Sequence, residues 1–335
     1  MASDVKVVID IAKAVTGSGF GFPLIFQGKA TAAIPYTECS SINDVTTALG
    51  SNYATNPIYK AALLMLMQNT APAKFAIMAS TNATVDALPA VIDKEWRQLI
   101  VVSLGTEDES TAAEISAYIE TTATKMYFTS AATVAGATIS GNERTVMLVH
   151  TDTDSTVVFP EAALVGATAG KPAGSVNYKN QILNGLNPVA LTDAQLTAIE
   201  AAHAMAAVVK AGYVVTSDGK TTSDEYIDIV DSKDYIVQNI EYQTQLVLIQ
   251  NDKIPYDNNG ISMLENVCVN VLRDAANNGM IATNDEGSFI YSVDYQPRSA
   301  TSATDRANRT YVEGSFSFAL AGAVDTVQIN GTIEI

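Results

Sequence analysis

Histidine, cysteine, basic charge and long apolar runs are all scarce in this 335-residue chain, and each shortage closes off a class of function. There are two histidines, His150 and His203, and two cysteines, Cys39 and Cys268. The cysteines lie far apart in sequence and form neither a disulfide framework nor a zinc pattern. Cys268 sits in an apolar helical run and reads as a core residue. Lys and Arg number 19 against 36 Asp and Glu, leaving a net charge of −17. Phosphate recognition needs clustered cations, so nucleic acid and anionic membrane surfaces are poor partners, and the acidity serves solubility. The longest apolar run, Ala61 to Met67, is far too short to cross a bilayer. The N-terminus lacks the basic start and apolar stretch of a signal peptide. The expectation is a chain made and folded in a cytosol, with no stable membrane insertion.

The few candidates for chemistry are weak. His150 is followed by Asp152 and Asp154, and a His-x-Asp-x-Asp run on a strand points its ligating groups one way, as a metal site requires. With no second cluster, a solvated loop after the strand is the better reading. His203 falls in an alanine-rich helical stretch, where a surface or core role fits better than catalysis. Gly219-Lys220-Thr221 has the look of a phosphate-binding loop's end, yet Val214 stands where the first glycine belongs and no strong helix start follows. Gly17-Ser-Gly19-Phe-Gly21 has the wrong spacing for a dinucleotide loop and runs into Pro23, so it reads as a flexible joint. The Asn-x-Thr sites at Asn82, Asn308 and Asn330 carry no meaning without secretion. No Ser-His-Asp set stands out, and no catalytic residue, metal or cofactor is assigned.

What is present is apolar patterning, and at 47% hydrophobic residues the chain can bury a core. From about residue 56 to 151 helix and strand signals alternate. Asn56-Pro57 opens a helix reaching about Asn69. Lys74 to Ala79 is a strand, Val85 to Lys94 is helical, and Arg97 to Ser103 has the continuous apolar character of a strand covered on both faces. Glu107 to Thr122 is helical, and Lys125 to Thr129 and Arg144 to His150 are strands. This predicts an α/β fold with a mixed, largely parallel sheet.

Further on, Thr192 caps a long alanine-rich helix that runs to Gly212. Tyr213 to Thr216 with the turn Ser217 to Lys220 forms half of a hairpin. Ser232 to Gln250 is an amphipathic helix. Leu264, Val267, Cys268, Val271, Leu272 and Ala275 then mark one face of a helix that Gly279 terminates. Gly287 to Tyr295 is a strand, and Arg298 to Arg309 a polar loop or excursion.

The two ends alternate with period two. Val5, Val7, Ile9 and Ile11 share one side of an N-terminal strand, and Val327, Ile329, Ile333 and Ile335 share one side of a C-terminal one. Each either pairs within its own domain or acts as an arm that adds to a sheet of a neighbouring subunit.

Several stretches resemble the contractile tail sheath family of phages and related particles. They are Trp96-Arg-Gln-Leu-Ile-Val-Val-Ser103, Glu114 to Glu120, Lys125-Met-Tyr-Phe128, Arg144 to His150, Phe159 to Gly166, Lys171 to Lys179 and Leu183 to Leu186. Tyr226-Ile-Asp228, Ile254-Pro-Tyr256, the Gly260 to Asn278 helix, Tyr311 to Phe318 and Ala321 to Ala323 complete the series. The likeness runs in order over roughly residues 20 to 335 but has no short diagnostic signature.

The resemblance implies a structural subunit, not an enzyme. It implies a strand arm and joint over 1–19, a sheath body in two parts over 20–151 and 152–310, and C-terminal strands and arm over 311–335. Its partners would be further copies in stacked rings, an inner tail tube, and baseplate and tail-terminator proteins, in a virion tail assembled in the bacterial cytoplasm. By family precedent the Gly260 to Asn278 helix would touch the tube through Arg273, Asp274, Asn277 and Asn278, although an internal helix with a solvated face explains them equally. The rival readings are an α/β enzyme or ligand-binding protein, and another self-assembling shell or tube subunit.

Overall fold

The structure, a computed structural model, describes residues 20–102, 109–122, 124–150 and 159–325. Both period-two ends, Val5 to Ile11 and Val327 to Ile335, lie outside the described residues, as do Asp152 and Asp154. Phe20 leads into β1 (Phe22–Gln27) and β2 (Ile34–Cys39), strands that no reading above anticipated. α1 (Ile42–Leu49) starts on a reciprocal cap: the Asp44 N–H donates to the Ser41 hydroxyl, and the Ser41 N–H donates to the Asp44 carboxylate at 2.9 Å. α2 (Pro57–Leu66) opens as expected, with the Ile58 N–H donating to Asn56 Oδ1 at 2.9 Å.

β3 (Phe75–Ala79), the single turn α3 (Thr84–Ala87), β4 (Trp96–Val101), α4 (Glu109–Thr122), β5 (Met126–Ala131) and β6 (Thr145–Val149) continue the expected alternation. Then come α5 (Pro160–Thr168), α6 (Asp193–Ala201), β7 (Met205–Lys210), β8 (Tyr213–Thr216), α7 (Ile227–Gln250) and α8 (Asn258–Asn277). The described chain closes with β9 (Tyr291–Tyr295), α9 (Ala303–Asn308) and β10 (Gly314–Phe318).

Eight strands form one sheet in the order β2-β3-β1-β4-β5-β6-β7-β8. All neighbours from β3 through β7 run parallel, while β2 on β3 and β8 on β7 are antiparallel. The sheet therefore continues past residue 151. Alternate strand residues enter two cores. Ile25, Ile77, Ile100 and Phe128 face α1, α2 and α5, whereas Leu24, Phe26, Ala76, Leu99 and Tyr127 face α3 and α4. α5 is buried along its whole length, which explains why it carries no polar face.

A separate core lies between α7 and α8, with the β9–β10 ribbon packed on it. Among the described residues β9 and β10 pair with each other and with no other strand, from Tyr291↔Phe318 to Tyr295↔Gly314. Asp325 is tied back to the body by the Asn177 amide at 2.7 Å.

Four expectations are corrected. The alanine-rich helix stops at Ala201, although its predicted cap Thr192 is present, and Met205–Lys210 is a strand beside β6. The hairpin turn is Ala211-Gly212, both at positive φ, and not Ser217 to Lys220. Sheet pairing by Met205 and Ala206 outweighs the helix propensity of the alanines. Arg298 to Arg309 is no loose loop, because it contains a 3-10 turn and α9, capped by the Ser302 hydroxyl. The strand expected from Gly287 begins only at Tyr291.

α2 and α5 approach so closely that a Cβ on Gly166 would collide with the Met65 carbonyl. Gly166→Ala is expected to cost about 1–3 kcal/mol through overpacking. A lowered urea midpoint at unchanged slope would show this; an unshifted midpoint would mean the two helices separate without penalty.

Candidate functional site

Because β4, β5 and β6 are parallel neighbours, their entry residues line up on one edge of the sheet: Arg97, Lys125 and Arg144. All are buried, at 0%, 2% and 3% exposure. Opposite them, Asp231 and Asp234 lie three residues apart on the first turns of α7 and so share a face. Arg97 donates to Asp231 at 2.6 Å and to Asp234 at 2.5 Å. Arg144 holds Asp234 with both nitrogens, at 2.6 and 2.8 Å. The Tyr178 hydroxyl donates to Asp231 at 2.8 Å, and Arg97 also donates to the Thr124 carbonyl at 2.6 Å. Phe20 stacks 4.6 Å over the Arg97 guanidinium and meets Tyr235 edge-on.

Burial alone would raise the Asp234 carboxyl, but the charges and hydrogen bonds of Arg97 and Arg144 outweigh it and hold the group below the usual carboxylate range. Lys125 donates to the Lys94 and Trp96 carbonyls, and burial, helped by the Arg97 charge, pulls its amine down to about 7. The cluster fastens the start of α7 to the α/β body.

The outer surface of the C-terminal part has two notable faces. On α8, Val267, Cys268, Val271, Leu272 and Ala275 are buried as the periodicity requires. Arg273, Asp274 and Asn277 are exposed, and Asn278 is half-buried as the helix terminator. Arg273 donates to Asn270 at 2.8 Å. The β9–β10 ribbon turns Val293 and Phe316 toward α8 and Ser292, Asp294, Ser315 and Ser317 to solvent. Among the described residues neither outer edge of this ribbon has a ladder partner.

Among the described residues no cluster of reactive side chains converges. His150 is buried, not in a solvated loop, with Nε2 3.0 Å from the Asn187 carbonyl. His203 follows α6 at φ +53° and lies 3.3 Å from Asp224. Lys220 pairs with Asp224 at 2.7 Å, and Thr221 is buried, so the Gly219-Lys220-Thr221 turn forms no phosphate cradle. Burial pushes Glu161 up to about 7, yet it sits beside Ser130 at the far end of β5 from Lys125, so the two perturbed groups never meet. An open depression of about 460 Å³ is lined by Glu120, Glu143, Asp224 and Glu225. The Glu120 carboxylate there already accepts two backbone N–H groups. Among the described residues no group of three or more His, Cys, Asp and Glu is placed to hold a metal, and no helix is long and apolar enough to cross a membrane. Both thiols are buried, and burial pushes Cys39 up to about 11 and Cys268 to about 12.

The buried cluster was not singled out from sequence. Its signal was present, in an arginine inside the apolar run of β4 and two acids on the inner face of α7, but nothing in sequence pairs residues more than 130 positions apart.

Residues 227–333 match the family of the E217 tail sheath protein gp31-like C-terminal domain, a span that begins at the first residue of α7. The whole chain superposes on a chain of the anti-feeding prophage baseplate, 6-fold symmetrised, with a TM-score of 0.73 at 17% identity, covering 100% of this chain and 99% of that one. It matches the anti-feeding prophage helical sheath in its contracted state with a TM-score of 0.73 at 16% identity, covering 100% of both. The contracted sheath complex of PVC, an extracellular contractile injection system, gives 0.71 at 12% identity, with 100% and 98% covered. No curated protein matches the sequence. The C-terminal third thus resembles a tail sheath domain, and the chain as a whole shares the fold of these contractile-particle chains, with the mixed α/β architecture expected.

Asp234→Asn would leave two buried guanidiniums short of charge, at an expected cost of about 3–5 kcal/mol. Because the Asp234 carboxyl is depressed in the fold, its contribution is complete above the unfolded-state value near 4 and disappears as pH falls through the folded-state value. Urea unfolding between about pH 2 and pH 7 should therefore show an acid limb in the parent that flattens in the variant. A loss under about 1 kcal/mol would mean that α7 is held by apolar packing alone.

Proposed function

We propose that the chain is a structural subunit of a contractile tail sheath, which polymerises around an inner tail tube and contracts to drive it through a bacterial envelope. The supporting observation is the full-length agreement with sheath-particle chains, joined to the sheath-domain match over residues 227–333. No observation favours the enzyme reading.

In this proposal the terminal segments are arms. Val5, Val7, Ile9 and Ile11, and Val327, Ile329, Ile333 and Ile335, supply the apolar sides of strands donated to other copies. The β9–β10 ribbon is the acceptor, since its two outer edges leave backbone groups free for an added strand. Backbone pairing suits a subunit that must slide without letting go. Each hydrogen bond contributes only about 0.5–1.5 kcal/mol net, yet several act together. The segment 1–19 is the N-terminal arm with its joint, 20–151 and 152–310 are the two parts of the body sharing one sheet, and 311–335 carries the C-terminal strands and arm. The exposed side of α8 bearing Arg273, Asp274, Asn277 and Asn278 is the tube contact. Stacked rings of this chain would meet baseplate and tail-terminator proteins at their ends, in a virion tail assembled in the host cytoplasm. The extended sheath is then a metastable state, and contraction exchanges body contacts while the strand mesh persists.

Negative-stain electron microscopy of the full chain and of a variant lacking residues 1–11 and 324–335 tests this. Long hollow tubes from the full chain that vanish on trimming are expected, alone or with tube protein co-expressed. Compact particles from both chains under both conditions would sink the proposal.

A further inference from the structure

Within an acidic chain, one exposed segment reverses the sign. Between β9 and β10 the chain makes a 3-10 turn at Arg298–Ala300, then α9, then a left-handed residue at Arg309 with φ +57°. Arg298 and Arg309 are exposed and Arg306 is half-buried. The segment is built, not loose. Arg306 donates to the Thr301 carbonyl, and the Arg298 N–H donates to Asn258 Oδ1 at 2.9 Å. The Tyr256 hydroxyl donates to the Thr310 carbonyl at 3.0 Å, and that of Tyr311 to the Gln296 carbonyl at 2.9 Å. Tyr311 also stacks on Tyr295 and meets Tyr256 edge-on.

Elsewhere Lys171, Lys210 and Arg273 donate to the neutral side chains of Gln181, Asn180 and Asn270, while Arg97, Arg144, Lys74, Lys220 and Lys233 sit within 4 Å of a carboxylate. Among the described residues Arg298, Arg306 and Arg309 have no such partner. A non-glycine residue held left-handed stores backbone strain, which surrounding structure must maintain. Here the maintained feature is a folded backbone that displays the exposed Arg298 and Arg309, with Arg306 hydrogen-bonded beneath them to the Thr301 carbonyl.

We infer that this arginine-bearing excursion docks on an acidic face of a second copy of the chain. Guanidinium forks match carboxylates in geometry. A subunit of net charge −17 packed against its own copies repels them unless cations are placed at the contacts. Nucleic acid fits less well, because Asp294, Asp305 and Glu313 are interleaved with these arginines and no lysine accompanies them. The inference rests on the self-assembly proposed above and names one of its contacts, distinct from the strand arms and from the α8 face.

Self-association of the full chain, followed by sedimentation and electron microscopy, tests the contact. The comparison is with Arg298→Glu/Arg309→Glu and with Arg298→Lys/Arg309→Lys. Reversal should raise the concentration needed for assembly about tenfold or more, as expected when exposed ion pairs repeat across every contact. The gap between parent and reversed variant should close from about 0.1 M to about 1 M salt, where the screening length falls from about 10 to about 3 Å. The lysine variant should keep most of the association. All three proteins should melt alike, because neither guanidinium has an internal partner. Equal association of parent and reversed variant overturns the contact while leaving the sheath reading intact. Compact particles in place of tubes, both alone and with tube protein co-expressed, overturn the sheath reading, and a loss on reversal there still supports a contact between copies. No association at any salt under either condition overturns both. Duplex DNA binding that disappears on reversal, with association unchanged, reassigns the arginines to nucleic acid.

Discussion

A buried cluster of two arginines and two aspartates joins the start of α7 to the body, and the placement of the described residues that follow depends on it. Arg97 and Arg144 stand at the entries of β4 and β6, on either side of β5, so their positions are set by the parallel sheet itself. Asp231 and Asp234 are set by one helix face. Charges removed from water in this way gain little net stability, because desolvation offsets most of their attraction. What they confer is direction. An apolar contact tolerates sliding, whereas the two-nitrogen grip of Arg144 on Asp234 has one good geometry. In the sheath role proposed above, where outer surfaces exchange partners, a directional internal joint would keep α7, α8 and the ribbon aimed while the exterior rearranges.

The two sheets treat their edges in opposite ways. In the large sheet β8 is covered by residues 180–183, through Leu183 N–H to the Val214 carbonyl and Thr216 N–H to the Gln181 carbonyl. β2 carries Pro35, which has no N–H to offer. Among the described residues the ribbon has neither protection. Strand addition is thus discouraged at the body and left open at the small domain, a division that prevents indiscriminate pairing between bodies.

How much of this was legible depended on the range of the interaction. α2 was readable because Asn56 and Pro57 act within one turn, and α8 because its apolar stripe repeats within one element. β4 was readable as a covered strand from its unbroken apolar run. The alanine-rich stretch misled, because local propensity favours helix while Leu148 and Val149 of β6 offer Met205 and Ala206 a ladder that no local window contains. β1 was hidden by its glycine-rich approach, although it lies at the centre of the sheet. The Arg298 to Arg309 segment looked like a loop because its order comes from Tyr256, Asn258 and Tyr311, contributed from outside it. The buried cluster joins residues 90 to 137 positions apart and had no local signature of pairing. The tail-sheath likeness was recognisable only as a dispersed series of stretches, as suits a protein whose work is done by surfaces instead of a motif.

The sheltered cysteines have a practical consequence. With both thiols buried and shifted far above neutral pH, the chain presents no thiolate to an alkylating dye. A cysteine placed on the outer face of β10 would then be the single reactive handle on each copy. Pairs of fluorophores attached there could follow the spacing between neighbouring subunits in real time, turning the native scarcity of reactive sulfur into a ruler for assembly.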